Sequence, residues 1–360
     1  MPAKRARQSF PPCPSSYPAL NASTPTLVAA VDTQDPVDQA TLDMDATLIE
    51  TEKQDALFSY KGFKAYQPLN TYWAEKGLIL HTEFRDGNVP AGHEQLRVFT
   101  HALSLLPPGV KTVRLRSDTA GYQHDLMAYC DRGENERFGR IEFAIGADVT
   151  PEFKKAVREA EEWHPLFDRK GRIAGQWAEV CFVPNKSATK KGEPYRYIAI
   201  RERLKQPLLP GMDYLPFQTI AFSETQYKLF GIVTNMDWEG GKLIDWHHER
   251  CGKSEKAHAV MKEDLAGGKL PSGKFGENAA WWWIMVLAHN LNAAMKRLVL
   301  QGSWVTKRMK AVRFHLINLP GRVMEHARGL IVRLAGNHPS FDVLVSARRR
   351  IMELGYAASG

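Results

Sequence analysis

Three acidic residues sit where carboxylates can do metal chemistry. They are Asp45 in Thr41-Leu-Asp-Met-Asp-Ala-Thr-Leu-Ile-Glu50, Asp118 closing Val113-Arg-Leu-Arg-Ser-Asp118, and Glu255 closing Arg250-Cys-Gly-Lys-Ser-Glu255. The first two belong to apolar, strand-like runs, and the third lies in a segment with helical spacing; 73 and 137 residues separate them along the chain. Two strand carboxylates and one helix carboxylate are the hard oxygen donors that can hold a pair of divalent ions for phosphoryl transfer. In a chain with a basic C-terminal third, that chemistry points to a nuclease-like site working on DNA.

Each acid also has a plainer reading. Asp43 and Asp45 are two apart and share one face of a strand, so either could be the first ligand, or both could line the wet face of an edge strand. Asp118 follows a strand and precedes a helix, where an aspartate often caps the helix. Glu255, His258 and Lys262 are spaced i, i+3, i+7 and share a helix face that could offer one carboxylate beside cationic groups, or be an ordinary solvated face.

These residues need elements to hold them. Thr41–Glu50 alternates, with Leu42, Met44 and Leu48 opposite Asp43, Asp45 and Thr47. Strands are expected at Leu57–Tyr66 and Gly77–Phe84, a helix at Glu94–Leu106, a strand at Thr112–Arg116, a helix at Gln123–Asp131, a strand at Arg140–Ile145 and a helix from Pro151 towards Trp163. The order predicts an α/β fold, a mixed sheet covered by helices. Strand-like stretches at Gln176–Val183, Tyr195–Arg203 and Tyr227–Asn235 predict a mostly β insertion lying outside that sheet. Helices are expected again from Trp246 to Leu265 and from Glu277 to Leu300, the latter burying the face of Trp281, Ile284, Ala288 and Leu291 and at least two of the indoles of Trp281-Trp-Trp283. The expected division is a disordered Pro/Ser-rich tail (1–27), the first part of the core (28–163), the β-rich insertion (164–240), the last part of the core with the Glu255 helix (241–300) and a basic C-terminal region (301–360).

The 48 Lys+Arg and 40 Asp+Glu give a net +8, unevenly distributed: residues 241–360 hold 19 basic and 9 acidic residues, the rest 29 and 31. A basic surplus on one segment favours a polyanionic partner, because neutralising phosphates releases counterions. Cys13, Cys130, Cys181 and Cys251 lack the paired spacing of a zinc site or a disulfide framework. No apolar run follows Lys4, Arg5 and Arg7, and the longest, Ala279 to His289, is too short to span a bilayer. A cytoplasmic protein, nucleoid-associated when bound to DNA, is expected.

The motifs occur in a telling order: Leu42-Asp-Met-Asp-Ala-Thr47, Tyr60-Lys-Gly62, Pro68-Leu69, Phe84-Arg-Asp-Gly-Asn-Val89 and Arg116-Ser-Asp118, then Thr234-Asn235, Glu249-Arg-Cys-Gly-Lys-Ser-Glu-Lys-Ala-His258, Lys262-Glu-Asp-Leu-Ala-Gly-Gly268, Pro271-Ser-Gly-Lys-Phe-Gly276 and Asn278-Ala-Ala-Trp-Trp282. The series resembles the DDE transposases of bacterial insertion sequences, in the branch with a β insertion before the glutamate. The resemblance covers roughly residues 38–350. It implies an RNase H-like core, two Mg²⁺ ions with Mn²⁺ as an alternative, and cut-and-paste endonuclease and strand-transfer chemistry on double-stranded DNA, at inverted-repeat ends and a target, by a dimer in the DNA complex. Asp45, Asp118 and Glu255 take the roles of the three metal-binding acids, and Arg250, Lys253, Lys256 and Lys262 would contact phosphates. Two departures stand out. His247 beside Trp246 occupies the position where relatives carry a tyrosine, and few residues precede Asp45, so a shortened, catalytically impaired copy is one expectation. A metal-dependent nuclease without strand transfer would use the same acids.

Overall fold

The computed structural model describes residues 18–168, 170–184, 195–204, 217–326, 328–334 and 338–357; within these, the side chains of 18–23, 251–256, 326 and 355–357 lie outside the described set. Residues 18–27, expected in the disordered tail, instead begin a helix, α1 (Pro18–Gln34), with Pro25 in its interior. Val28 and Val31, one turn apart, are fully buried in the main core. Two such burials contribute about 1.5–3 kcal/mol each, enough to offset the roughly 3 kcal/mol that an interior proline costs. Residues 1–17 lie outside the described residues.

Six strands follow: β1 (Gln39–Ala46), β2 (Ile49–Glu50), β3 (Leu57–Phe58), β4 (Lys64–Tyr66), β5 (Leu69–Trp73) and β6 (Leu78–Glu83). The run Leu57–Tyr66, expected in the central sheet, forms instead a small side sheet of order β2-β4-β3. The central neighbour of β1 is β5, antiparallel, with β6 antiparallel beyond it. Next come α2 (Gln95–Ser104), which buries Val98, Phe99 and Ala102, and β7 (Thr112–Ser117), parallel to β1. Then α3 (His124–Arg132) leads into β8 (Glu142–Ala147), parallel to β7. The helix α4 (Pro151–Glu159) starts on Thr150, whose hydroxyl accepts the Phe153 N–H, with proline in the first turn where no donor is needed. The order β6-β5-β1-β7-β8 is an antiparallel meander extended by two parallel strands, the RNase H-like arrangement.

Beyond β8 come β9 (His164–Phe167), β10 (Ile173–Val180), β11 (Arg196–Arg203), β12 (Thr219–Phe222) and β13 (Thr225–Thr234). This segment is rich in strands as expected, but it does not lie outside the sheet. β13 pairs antiparallel with β8, from Gly231↔Ala147 to Thr234↔Ala144, and the sheet continues β13-β11-β10-β9. An open β8 edge would leave a row of unpaired amides and carbonyls, and the segment covers it. Helices α5 (Gly240–Ala259) and α6 (Phe275–Ala294) come next, then α7 (Met309–Val312), the hairpin β14 (Gly321–His326) and β15 (Gly329–Leu334), and α8 (Phe341–Ala357). No helix among the described residues is long and apolar enough to cross a membrane.

The two faces of the sheet differ. Leu42 and Met44 point into the main core with Phe99, Leu126 and Phe153. The opposite face carries two smaller apolar clusters, one gathering Tyr66, Phe84, Met261 and Trp282 and the other Ile198, Ile232, Leu243 and Ile244. Trp282 and Trp283 are buried at 0% and 4% exposure, so two of the three indoles are core as expected. The expected face is not: Ile284 and Leu291 are 43% and 52% exposed, and the helix packs through Trp282, Val286 and Asn290. Asn290 explains the rotation, its amide accepting from the Ile79 N–H and donating to the Ile79 carbonyl, which satisfies both backbone groups of one β6 residue.

Candidate active site

Asp43 and Asp45 leave β1 on the face covered by α5 and α6, but their surroundings differ. Asp43 is fully buried, and its two oxygens take a forked pair of bonds from Arg116 at 2.6 and 3.0 Å. Arg116, on β7, also donates to the Trp246 carbonyl of α5, lies over the Trp246 ring and sits 3.7 Å from Glu249. This pair is structural: it fixes α5 to the sheet and leaves Asp43 committed.

Asp45 keeps 14% side-chain exposure. The parallel register pairs Met44 with Ser117, so one step further along both chains brings Asp45 beside Asp118 at the carboxyl ends of β1 and β7, where ligands bind in open α/β sheets. Asp118 is also a cap: its Oδ1 accepts the Ala120 N–H at 3.0 Å and starts a 3₁₀ turn, Thr119–Gly121. Burial, and then the negative charge of Asp45, push the Asp118 carboxyl above its ordinary range, while Arg250 pulls the other way. Gly146 on β8 supports this turn from beneath, since a Cβ there would lie 2.9 Å from the Thr119 nitrogen and 3.1 Å from the Asp118 carbonyl carbon.

The helix α5 crosses β1, β7 and β8. It starts on Glu239, whose carboxylate accepts from the Gly241 and Lys242 N–H groups at 2.8 Å, placing negative charge at the positive helix end. Arg250 NH1 is 3.4 Å from Asp45 Oδ2, and His258 Nδ1 is 3.7 Å from the same oxygen. His247 Nε2 donates to the Ser117 carbonyl at 3.0 Å, so the residue at the expected tyrosine position pins the strand end that presents Asp118. Past α5 the chain forms a π-turn, Val260–Asp264, from which Lys262 Nζ donates to the Thr47 hydroxyl and the Leu48 carbonyl, both at 3.1 Å. That bond gives the Asp45-Ala46-Thr47 pattern a physical basis, because the threonine anchors the chain just after the carboxylate.

Of the expected site residues, Asp45 and Asp118 come together. Glu255 belongs to α5, three residues before His258; the side chains of Glu255, Lys253 and Lys256 lie outside the described residues. Among the described residues, no group of three His, Cys, Asp or Glu side chains could hold a metal ion. Arg250 and Lys262, expected on DNA phosphates, lie against Asp45 and the end of β1. His258, read as one of the cationic groups, is buried, and desolvation lowers its pKa to about 4, so it is neutral near pH 7. Arg116, Asn70 and Thr82 were missed; the one available signal was charge and polarity inside runs that otherwise read as strands.

The donors fit a hard divalent cation: two carboxylates side by side, one raised by the other, so that a cation between them relieves the repulsion. A cleft of about 1040 Å³ opens beside Asp118 and Arg250 and runs past Gly146, Gly231 and Phe230.

Residues 15–356 match the family model described as Transposase DDE domain group 1. No curated protein matches the chain. Among solved structures, the cryo-EM structure of the piggyBac transposase synaptic complex with hairpin DNA is similar at 11% identity over 84% of this chain, with a TM-score of 0.38; the match spans 61% of that chain's length.

Proposed function

The chain belongs to the transposase DDE domain family, and from that premise we propose that it is a metal-dependent transposase that cleaves double-stranded DNA at insertion-sequence ends and joins them to a target. The observation that carries this reading is the side-by-side placement of Asp45 and Asp118 at the ends of two parallel strands, beneath the helix that bears Glu255. These three residues would hold two Mg²⁺ ions, or Mn²⁺. When bound, such ions activate a water or a DNA 3′-hydroxyl and stabilise the leaving oxygen.

The protein's own part is positioning. Arg250 steadies Asp45, His247 and Gly146 set the Asp118 turn, and Lys262 ties down the chain after β1. The cleft beside Asp118 admits the DNA end. Lys253 and Lys256 meet phosphates near the scissile bond, and the surplus of 19 basic over 9 acidic residues in 241–360 holds the flanking duplex. A dimer on DNA and a cytoplasmic, nucleoid-associated location complete the proposal.

The test is a gel-shift and cleavage assay with Mg²⁺ on duplexes carrying inverted-repeat ends or scrambled sequence. Asp118→Asn is expected to abolish cleavage while salt-sensitive binding persists, because the basic contacts are untouched. Cleavage surviving that change removes Asp118 from the chemistry. Cleavage without joining makes the protein a nuclease.

A further inference from the structure

A row of polar side chains crosses the sheet at the level of Asp45. Asn70 on β5 lies opposite Asp45, and Thr82 on β6 lies opposite Asn70, so the three occupy one line across adjacent strands. Trp282 of α6 closes one end of the line and His258 of α5 the other. The Trp282 Nε1–H donates to Thr82 Oγ1 at 2.9 Å, and the Thr82 hydroxyl donates to Asn70 Oδ1 at 2.6 Å. Asn70 Nδ2 is 3.1 Å from His258 Nε2, and His258 Nδ1 is 3.7 Å from Asp45 Oδ2. Trp282, Thr82, Asn70 and His258 are 0, 1, 2 and 9% exposed, which leaves little room for water to replace a missing partner.

Only one end of this chain is chemically fixed, and it fixes the rest. Indole nitrogen can only donate, so Thr82 must accept from Trp282 and spend its own proton on Asn70. The Asn70 oxygen therefore faces Thr82 and its NH₂ faces His258. Turning the amide over would leave the Thr82 proton with neither of its two neighbours able to accept it. An NH₂ group facing His258 Nε2 requires that nitrogen to be a bare acceptor. The ring proton then sits on Nδ1, the nitrogen beside Asp45.

We propose that Trp282, Thr82 and Asn70 form a relay that locks His258 as its Nδ1–H tautomer, so that His258 presents a donor to Asp45 and acts as a positioning residue for that carboxylate. The proposal rests on reading Asp45 as a catalytic carboxylate for its consequence in activity, but the tautomer itself does not depend on that reading. The relay gives α6, far along the chain, a hand in aiming the first acid. It also explains why polar residues occupy buried positions on β5 and β6.

The test is ¹⁵N NMR of the protein with ¹⁵N-labelled histidine, with His258→Gln identifying which of the 12 histidines is lost. The expected spectrum has His258 Nδ1 protonated and Nε2 bare. Thr82→Val, which keeps the shape but removes the hydroxyl, is expected to give a mixture of tautomers. It should also reduce kcat for DNA cleavage about 10–100-fold, the usual cost of losing a group that orients a metal-binding residue, with DNA binding unchanged. Thr82→Ser keeps the hydroxyl and should retain both the tautomer and the activity, which separates the relay from a packing role. An Nε2–H tautomer in the unaltered protein, or Thr82→Val with an unchanged tautomer, overturns the proposal. If the unaltered protein cleaves no DNA, the functional reading fails, and the ring signals still decide the relay.

Discussion

Asp43 and Asp45 have the same chemistry, lie on the same strand and face the same side, yet the protein uses them in opposite ways. Asp43 is sealed from water and matched to a guanidinium that forks onto both its oxygens. Asp45, two residues nearer the strand end, stands beside a second carboxylate, with an arginine at 3.4 Å and a histidine at 3.7 Å on one oxygen. The difference comes from depth along the strand. At Asp43 the β7 neighbour is Arg116; one pair on it is Ser117, where β7 ends, and Asp118 follows just beyond it. A buried acid can be neutralised once, permanently, in the body of the sheet, whereas one at the strand end can keep capacity for a ligand.

The largest expected effect breaks the first half of this contrast. Asp43→Asn should destabilise the fold by about 3–5 kcal/mol, the cost of leaving Arg116 buried without its carboxylate. Asp45→Asn should leave denaturant stability nearly unchanged while abolishing cleavage. Chemical denaturation with circular dichroism, run beside the cleavage assay, separates the two. A stable but inactive Asp43→Asn would mean that the roles of the two aspartates are exchanged.

Gly146→Ala probes the strand-end site from below. The added methyl meets the backbone at Thr119 and Asp118 rather than a side chain that can swing away, so the Asp118 turn must move. A displacement on the order of 1 Å near the chemistry costs about 100-fold in rate. The cleavage rate of a variant with an unchanged circular dichroism spectrum measures it, and full activity would show that the turn tolerates the shift.

How much of this could be read beforehand depends on how local the cause is. Asp45 and Asp118 could be picked out as candidates because an acid among alternating apolar residues is conspicuous, and the strands β1, β6, β7 and β8 followed from ordinary periodicity. Asn70 was hidden because Leu69-Asn-Thr-Tyr-Trp73 buries its polar residues, which defeats a hydropathy reading and let Leu57–Tyr66 take its place. The Arg116–Asp43 pair joins residues 73 apart and leaves no local mark. The attachment of β13 to β8 is decided by an open sheet edge, a property of the assembled fold. The run Trp281 to Leu287 is apolar on all sides, so its period could not say which face packs; the bond of Asn290 to Ile79 decided it.

Buried histidines extend the contrast to pH. Desolvation above all lowers the pKa of His81 and His247 to about 3 and of His289 to about 4. In the unfolded chain these rings take up protons near pH 6.5, so below that pH the unfolded state binds more protons and stability falls as pH falls, until the folded-state values are reached. Each ring should contribute a slope on the order of 1.4 kcal/mol per pH unit across that window. Denaturant midpoints for the metal-free protein between pH 7 and 5 should show the loss, and His81→Phe should remove one ring's share. A flat profile would mean that these rings are hydrated or paired when folded.

The smallest effect tests the other half of the contrast, the cost of two acids at one strand end. In the metal-free protein Asp118 is held above its ordinary range by burial and by Asp45, so its ionised form is less favourable folded than unfolded. Asp118→Asn removes that charge. An asparagine oxygen can still accept the Ala120 N–H, so the cap on the 3₁₀ turn is retained. Metal-free Asp118→Asn should therefore melt slightly higher than the unaltered protein at pH 7, by less than the roughly 2–4 °C that 1 kcal/mol produces in a domain of 150–250 residues. Added Mg²⁺ should raise the melting temperature of the unaltered protein, because a ligand that binds only the folded state stabilises it, and should do less for the variant. A lower melting temperature for metal-free Asp118→Asn would mean that Arg250 already outweighs the repulsion between the two carboxylates, and that the pair is held together without help from a cation.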